Sequence, residues 1–513
     1  MGMRHLMLSA TAFGLGLSTA MAIRPPQGGY SWTSGGENQL DARLGHVVAS
    51  AGDVNGDGYA DVIVGAPWFD HVNAENAGRA YVFHGSPSGL SDTPSWVSSG
   101  DAQYGALFGW SVASAGDVDK DGFGDVVVGA PRHNTQNPDV GKVYLYCGSE
   151  SGLSSTPSWT SSGDDQLNRW FFGFSVASAG DVNGDGHSDV IVGAGSQWDA
   201  QPGKAFVYLG SDSGLSPMPI WTATGDAPTI DLGISVASAG DVNKDGFADI
   251  LVGVRGVWGG LGRAHVYLGS PSGPSFSPSW TSYGDSQNGS LFGRTVAGVG
   301  DVNGDGYSDI AVGAYGFNTE NPDAGKVYVY HGSAQGPSSS PSWTSSGENV
   351  NQVYFGWSLA GAGDFNGDSF CDLIVGAYET DSPASNAGTA LVFLGSPSGL
   401  ASTPALSLGG AGHVWAEFGW SVAGAGDVDK DGASDLIVGA PSASSDAAGR
   451  VFAYYGTPPE RTETTAEGPT VSPMPAATGT EDQGGGGGAC GCLGVEPLIL
   501  LLLLGATRRR RLQ

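Results

Sequence analysis

Basic residues are scarce in this chain of 513 residues, which has 21 lysines and arginines against 51 aspartates and glutamates. The formal net charge at pH 7 is -30. A surface of this charge repels phosphate groups, so nucleic acid is excluded as a partner. The surplus of carboxylates instead favours a protein that binds cations.

Cysteine is also rare, with four in the whole chain. Cys147 and Cys371 are far apart, whereas Cys490 and Cys492 lie together near the C-terminus. This distribution supplies no disulfide framework, and two neighbouring cysteines without further ligands make a poor zinc site. Stability must therefore come from packing and from bound metal.

Hydrolase signatures are missing as well, since the sequence contains no G-x-S-x-G or H-E-x-x-H segment. His84 and His331 stand at one position of a repeated phrase that Cys147 and Leu209 occupy in other copies, which is typical of a packing position. We therefore expect no catalytic residues, no organic cofactor and no enzyme. The alternative is a surface hydrolase with its site at the centre of the fold.

Glycine and proline are plentiful, with 87 and 28 residues, and this composition disfavours long helices. One nine-residue acidic phrase, DVNGDGYAD at Asp53–Asp61, returns six more times with its acidic positions intact. Successive copies begin 60 to 64 residues apart, which is too long for a small solenoid repeat. The copies begin at Asp53, Asp117, Asp181, Asp241, Asp301, Asp364 and Asp427.

Each repeat contains about four short strand-like phrases, because small or β-branched residues alternate between turn signals. Seven four-stranded antiparallel sheets in a ring predict an all-β fold, a seven-bladed β-propeller. The mature chain opens on a fourth-strand phrase at Trp32 and its last repeat, from Phe418, stops at a third strand. We therefore expect the N-terminal strand to close the ring. The outer strands should hold Trp96, Trp159, Trp221, Trp280 and Trp343.

The acidic loops have the chemistry of calcium sites. Positions 1, 3, 5 and 9 are Asp or Asn, and hard oxygen ligands in this number suit calcium better than magnesium. We predict side-chain ligands at these four positions, a backbone carbonyl at position 7, and up to seven structural Ca²⁺ ions. The predicted ligands are Asp53, Asn55, Asp57, Tyr59 and Asp61; Asp117, Asp119, Asp121, Phe123 and Asp125; Asp181, Asn183, Asp185, His187 and Asp189; Asp241, Asn243, Asp245, Phe247 and Asp249; Asp301, Asn303, Asp305, Tyr307 and Asp309; Asp364, Asn366, Asp368, Phe370 and Asp372; and Asp427, Asp429, Asp431, Ala433 and Asp435.

Position 6 is glycine in six loops, which predicts a positive φ there. Ser369 replaces it in the sixth loop, so that loop is the candidate for the weakest site. Lys120, Lys244 and Lys430 at position 4 should point to solvent. A single loop could be a solvated turn, and no EF-hand is predicted because position 12 is not Glu and flanking helices are absent. Seven loops in register favour metal sites that hold strand-to-strand turns.

The order FG, then GDVNGDGxxD, then VGAP, over about Tyr30 to Tyr455, resembles the FG-GAP repeats of the integrin α-subunit N-terminal propeller and its bacterial relatives. The resemblance implies calcium loops between the first and second strands of blades, on the face opposite the ligand-binding loops. This chain departs from the pattern with LG at Leu44 and Leu232, and with GAG, GVR or GAY in place of GAP in four repeats. No gap between loops is long enough for an inserted adhesion domain.

The loops on the other face vary most between repeats, and this suggests that the individual function lies there. Exposed Trp, Tyr and Arg are typical anchors for protein or glycan ligands, although any one of them can instead fold over its own blade. These candidates are Trp68, Phe69, His71, Arg132, His133, Arg169, Trp170, Trp198, Arg255, Trp258, Tyr315 and Phe317.

The termini predict export. Residues 1–22 read as a signal peptide cleaved after Ala22, residues 23–457 as the propeller, and residues 458–488 as a disordered Thr, Pro and Gly-rich linker. Residues 489–513 combine Cys490 and Cys492 with an apolar run and four arginines. That segment resembles the MYXO-CTERM sorting signals of myxobacterial surface proteins, and the resemblance implies processing or lipidation at one of the cysteines. A plain tail anchor is the alternative.

Together these observations predict a secreted or cell-surface calcium-binding propeller that acts in adhesion or binds an extracellular protein or glycan. We expect the protein at the cell surface or outer membrane, or released outside the cell. Only its C-terminal signal would contact the membrane. A passive coat protein without a specific ligand is a further alternative.

Overall fold

The computed structural model describes the propeller region of the chain. No helix in the described part is long and apolar enough to cross a membrane. The described residues are 30–457 apart from 36, 38, 163–170, 196–201, 228–229, 257–260, 348–352, 382–385, 410–414 and 444–446. The predictions for Ala22, Cys490 and Cys492, and for the linker and both terminal signals, lie outside the described residues.

The described residues form seven four-stranded antiparallel sheets, which are the blades of a β-propeller. The first strands of the blades are β2 (Val47–Gly52), β6 (Ser111–Gly116), β10 (Phe172–Gly180), β14 (Ile230–Gly240), β18 (Thr295–Gly300), β22 (Ser358–Gly363) and β26 (Ser421–Gly426). The second strands are β3 (Asp61–Ala66), β7 (Asp125–Ala130), β11 (Asp189–Ala194), β15 (Asp249–Gly256), β19 (Asp309–Ala314), β23 (Asp372–Ala377) and β27 (Asp435–Ala440).

The outer half of each blade is shorter. The third strands are β4 (Arg79–Phe83), β8 (Lys142–Tyr146), β12 (Lys204–Tyr208), β16 (Arg263–Tyr267), β20 (Lys326–Tyr330), β24 (Thr389–Phe393) and β28 (Arg450–Tyr454). The outermost strands are β5 (Trp96–Ser98), β9 (Trp159–Ser161), β13 (Trp221–Thr224), β17 (Trp280–Ser282), β21 (Trp343–Ser346), β25 (Leu406–Gly409) and β1 (Trp32–Ser34).

The first strands line the axis, where each contacts the first strand of the next blade and β26 contacts β2. Their Ala, Ser and Gly residues allow seven strands to meet there. The second strands are buried along their length apart from Arg255 of β15, and their β-branched residues fill the space between neighbouring blades. One such core joins Ile63 and Val82 of the first blade to Val126 and Tyr144 of the second.

The ring closes through the N-terminal strand, as the sequence predicted. Strand β1 pairs with β28, with Trp32 opposite Ala453 and Ser34 opposite Val451. The last blade therefore takes its outer strand from the start of the propeller, which joins the two ends and covers a sheet edge that would otherwise be open.

The predicted outer-strand tryptophans also fasten neighbouring blades together. Each indole Nε1 donates a hydrogen bond to a backbone carbonyl of the next blade, as in Trp96 to Ser154 at 2.9 Å. The ring of Trp96 also packs edge-on against Tyr146 of that blade. The same donation joins Trp159 to Ser216, Trp221 to Ser275, Trp280 to Ser338 and Trp343 to Ala401.

Candidate metal centres and the opposite face

Each acidic loop connects the first strand of a blade to the second, and its last residue is the first residue of the second strand. In the first loop, the backbone N–H groups of Asp57 and Gly58 donate to the two carboxylate oxygens of Asp53, at 3.1 and 2.7 Å. Asn55 Oδ1 accepts from Asp57 N, and Asp57 Oδ1 accepts from Tyr59 N. These bonds turn the oxygens of positions 1, 3 and 5 toward the inside of the loop.

The aspartate at position 9 is wholly buried, and its carboxylate also accepts two backbone hydrogen bonds. Asp61 Oδ2 accepts from Val54 N within the loop, and Asp61 Oδ1 accepts from Gly85 N in the turn after β4, both at 2.9 Å. This carboxylate therefore ties the acidic loop to the next turn of the same face. The other six loops repeat the pair of bonds through Asp125, Asp189, Asp249, Asp309, Asp372 and Asp435.

Burial raises the pKa of Asp61 from 3.8 to about 7, against the lowering effect of its two backbone hydrogen bonds. The nearby carboxylates of Asp57 and Asp53 raise this pKa further. A divalent cation in the loop would offset this repulsion and favour the ionised carboxylate. Burial likewise raises the pKa of Asp125, Asp189, Asp249 and Asp309 to about 7 and that of Asp372 and Asp435 to about 8.

Positions 1, 3 and 9 converge. One oxygen from each of Asp117, Asp119 and Asp125 lies within 4.8 Å of the others, and the corresponding residues of the seventh loop form a second such group. Asp119 Oδ1 is buried without a hydrogen-bond partner. An orphaned acceptor beside two further carboxylates fits a divalent cation with hard oxygen ligands.

The other five loops have Asn at position 3, and its amide nitrogen donates to the carboxylate at position 5, as in Asn55 to Asp57 at 2.9 Å. In two repeats a histidine adjoins this asparagine: His84 Nδ1 lies 3.3 Å from Asn55 Nδ2, and His331 Nδ1 lies 3.1 Å from Asn303 Nδ2. The packing position that the sequence indicated for these histidines therefore borders the acidic loops.

Position 6 has the positive φ that its glycines predicted. Gly58 has φ +85°, and Ser369 adopts φ +73° in the sixth loop, where a side chain is strained. Position 4 is left-handed too, with φ +60° at Lys120. Lys120 is exposed, as expected, but its ammonium group lies over Gly186 of the third loop.

The seven loops form one continuous ring. The N–H at position 8 of each loop donates to the position 1 carbonyl of the preceding loop, as in Gly124 to Asp53 at 2.7 Å. Aromatic side chains add a second contact: a Cβ on Gly56 would lie 2.6 Å from the Phe123 ring of the next loop. Each acidic loop is therefore positioned by contacts with its neighbouring loops, in addition to contacts with any ion that it binds.

On the opposite face, some predicted binding residues fold over their own blades. Phe69 is buried beneath the guanidinium group of Arg79, 3.7 Å from its ring centroid. His133 is buried and hydrogen-bonded to Asp101 at 3.0 Å. Phe317 packs in a core between blades. Of the remaining candidates, His71 lies in a tight turn, and Arg169, Trp170, Trp198 and Trp258 lie outside the described residues.

The mouth of the channel on this face is lined by side chains that sequence reasoning missed. They are the seven residues that directly follow the glycine of each FG, LG or related phrase, and we call them the collar. Contacts run around it from Trp420 to His46, Trp110 and Phe174, with ring centroids 4.8 to 5.6 Å apart. The collar consists of His46, Trp110, Phe174, Ile234, Arg294, Trp357 and Trp420.

Arg294 completes the collar, with its guanidinium carbon 5.8 Å from the ring centroids of both Phe174 and Trp357. Trp357 in turn lies 4.8 Å from Trp420. The sequence did carry one sign of the collar. The residue after the glycine varies among Trp, Phe, His, Ile and Arg within an otherwise constant phrase.

Three of the predicted binding residues pack on or beside the collar. Trp68 lies 4.8 Å from His46, and Tyr315 lies 4.7 Å from Trp357. Arg255 donates to the buried carboxylate of Asp231 at 2.7 Å. A fourth, Arg132, is exposed at the rim of a small pocket between the first three blades. The opposite face therefore combines an aromatic centre with arginines.

Comparison with known families accounts for the repeat. Residues 45–83, 108–146, 292–330, 355–393 and 418–454 match the FG-GAP repeat family, and residues 181–252 match the FG-GAP-like repeat family. These segments reach all seven blades. The chain is therefore a seven-bladed β-propeller built from FG-GAP repeats.

Among individual proteins, the chain is similar to integrin α subunits. It is 34% identical over 238 residues to integrin alpha-5 of Xenopus laevis, which covers 44% of this chain and 21% of that protein. It is 37% identical over 169 residues to integrin alpha-IIb of Mus musculus, which covers 30% and 15%. The chain thus spans about a fifth or less of the length of these curated relatives.

Two solved structures show a weaker likeness. The exotype rhamnogalacturonan lyase YesX aligns over 80% of this chain and 72% of its own, at 12% identity and a TM-score of 0.38. The Dos1 propeller aligns over 78% of this chain and 76% of its own, at 9% identity and a TM-score of 0.40. At these values neither likeness bears on function.

Proposed function

We propose that this protein is an exported, calcium-stabilised propeller that binds an extracellular protein or glycan as an adhesion module. Calcium would be held by the side chains at positions 1, 3, 5 and 9 and the carbonyl at position 7 of each loop. The single observation that carries the proposal is the approach of carboxylate oxygens from Asp117, Asp119 and Asp125 to within 4.8 Å of one another, with Asp119 Oδ1 buried and unpartnered. The similarity to integrin α subunits supports the adhesion role.

The remaining assignments belong to the same proposal. Cleavage after Ala22 would release residues 23–457 as the propeller, with residues 458–488 as a linker. Residues 489–513 would direct surface display, with Cys490 or Cys492 as the processing site. The ligand face would be the one opposite the acidic loops, because its loops differ between repeats while the acidic loops hardly differ.

Thermal unfolding with and without chelator tests the calcium part. A site filled at a hundredfold excess over its Kd contributes about 2.7 kcal/mol, and the seven proposed sites together should make EDTA lower the Tm by more than about 10 °C. Calcium should restore the Tm at lower concentration than magnesium. An unchanged Tm in excess EDTA contradicts structural calcium.

Attachment of the calcium-loaded chain to cells and extracellular matrix tests the adhesion part. We expect saturable binding that EDTA abolishes. A passive coat protein would show no saturable binding to any of these surfaces.

A further inference from the structure

A small pocket lies beside the collar, between the first three blades. Its volume is about 150 Å³, and its walls include the aromatic side chains of Trp68, Trp110, Phe171 and Phe174. Arg132 stands at its rim, and no carboxylate is among the described residues that line it. Arg132 is thus the only charged side chain among the described residues that line the pocket.

Two more arginines border the same aromatic walls. The guanidinium carbon of Arg43 lies 5.0 Å from the Trp68 ring centroid, and that of Arg294 lies 5.8 Å from the Phe174 ring centroid. Both side chains are half-buried. Arg132 therefore lines the pocket, while Arg43 and Arg294 lie over two of the aromatic side chains that form its walls.

None of these three arginines has an ion-pair partner among the described residues, whereas Arg79, Arg255 and Arg263 all have one. Arg43, Arg132 and Arg294 concentrate positive charge at and beside this pocket in a chain whose net charge is -30. This local positive charge favours an anionic ligand.

The walls restrict the kind of anion. A six-membered sugar ring matches the pocket in size, and its C–H faces pack against flat aromatic rings. Guanidinium groups bind carboxylate or sulfate through paired hydrogen bonds. An acidic side chain of a peptide would leave the aromatic walls partly uncovered.

We propose that this pocket binds one anionic sugar ring, a uronate or a sulfated sugar, at the end or within an extracellular glycan. This inference rests on the proposed function and narrows its ligand to an acidic glycan. Arg132 would bind the acidic group, and Trp110 and Phe174 would contact the ring.

Calorimetric titration of the calcium-loaded full chain with a galacturonic acid trisaccharide and a sulfated galactose trisaccharide tests the inference. We expect one of the two to bind and the neutral galactose trisaccharide not to bind. Arg132→Gln should weaken that binding about tenfold, since it removes a charge-assisted contact from an exposed residue without structural partners. Lys120→Gln removes the same charge on the opposite face and should leave the Kd unchanged.

The inference is wrong if neither acidic trisaccharide binds better than the neutral one, or if Arg132→Gln and Lys120→Gln have equal effects. It is also wrong if a glutamate tripeptide binds as tightly as the acidic trisaccharides. Saturable attachment to cells or matrix that Arg132→Gln leaves intact would overturn the pocket while the adhesion function stands. Absence of saturable attachment by the unaltered chain, together with no binding of either acidic trisaccharide, would overturn both.

Discussion

The two faces of this propeller follow opposite rules. On the face of the acidic loops, one set of hydrogen bonds is repeated seven times, and the loops are joined to each other through backbone contacts. On the opposite face, the collar position holds five different residue types in seven blades. One face therefore maintains the ring, while the other can vary from blade to blade.

The face of the acidic loops also buries carboxylate groups, and this destabilises the folded protein. Each blade buries a carboxylate, such as Asp61, beside two further acids in the same loop. A loop that did nothing but turn would not need buried like charges, because each unpaired buried charge destabilises the fold. The collar has one charged residue, Arg294; burial lowers its pKa, and its guanidinium group lies against aromatic faces.

The largest effect should come from the buried aspartate of one acidic loop. Asp125→Asn removes a proposed metal ligand and places an amide N–H₂ against one of two backbone donors, so the free energy of unfolding should fall by about 3 kcal/mol or more. Asp139→Asn on the other face is the matched control, because φ +52° there suits Asn. Urea unfolding in calcium measures both. Equal, small losses would break the contrast between the faces.

Much of the repeated face could be predicted from sequence. Asp53 and its copies recur at near-constant spacing, and glycine at position 6 reports a positive φ, so the fold and the position of the loops followed from local pattern. The hydrogen bond that Asp61 accepts from a distant turn could not be predicted in this way. Its partner Gly85 lies 24 residues away, and no spacing rule links a carboxylate to the N–H of a distant turn.

The collar could not be predicted, because it exists only after the ring closes. His46 and Trp420 are 374 positions apart in sequence, yet their ring centroids lie 5.6 Å apart. In a linear reading each is a single aromatic residue beside a glycine. The tryptophan bonds between blades were missed for the same reason, since Trp96 and Ser154 belong to different repeats.

The second largest effect concerns the collar residue His46 and should appear as a pH dependence of the free energy of unfolding. Burial lowers the pKa of His46 from 6.5 to about 3, and Arg43 and Arg294 lower it further. The folded protein therefore favours the neutral form of His46. The free energy of unfolding keeps its full value above pH 6.5 and falls as the pH decreases toward 3. The loss should be about 1.4 kcal/mol per pH unit.

His46→Phe should remove that dependence, since Phe is neutral and the third blade already has Phe at this position. Between pH 7 and pH 5 the stability of the original chain should fall by about 2 kcal/mol more than that of the variant. Urea unfolding at both pH values in calcium measures this. Acid also weakens calcium binding, but equally in both proteins. Parallel pH profiles would show that His46 is not held neutral.

A smaller effect should reveal how closely adjacent acidic loops fit. Gly56→Ala places a Cβ 2.6 Å from the Phe123 ring, at φ +70°. We expect a loss of about 1.5 kcal/mol in unfolding free energy from contact and strain together. Phe123→Leu in the same chain should return part of that loss. A double-mutant cycle measures the coupling, and additive losses would mean that the loops act independently.

The smallest effect concerns the one loop that breaks the repeated pattern. Ser369 has φ +73°, where a side chain is strained and glycine is not. Ser369→Gly should therefore raise the free energy of unfolding by about 1 kcal/mol, with or without calcium. Gly432→Ser in the seventh loop is the reverse substitution, at a glycine with φ +94° and no atom within 4 Å of an added Cβ. It should lose a similar amount. If both changes were neutral, the glycine at position 6 would reflect something other than backbone strain, and the uniformity of this face would need another cause.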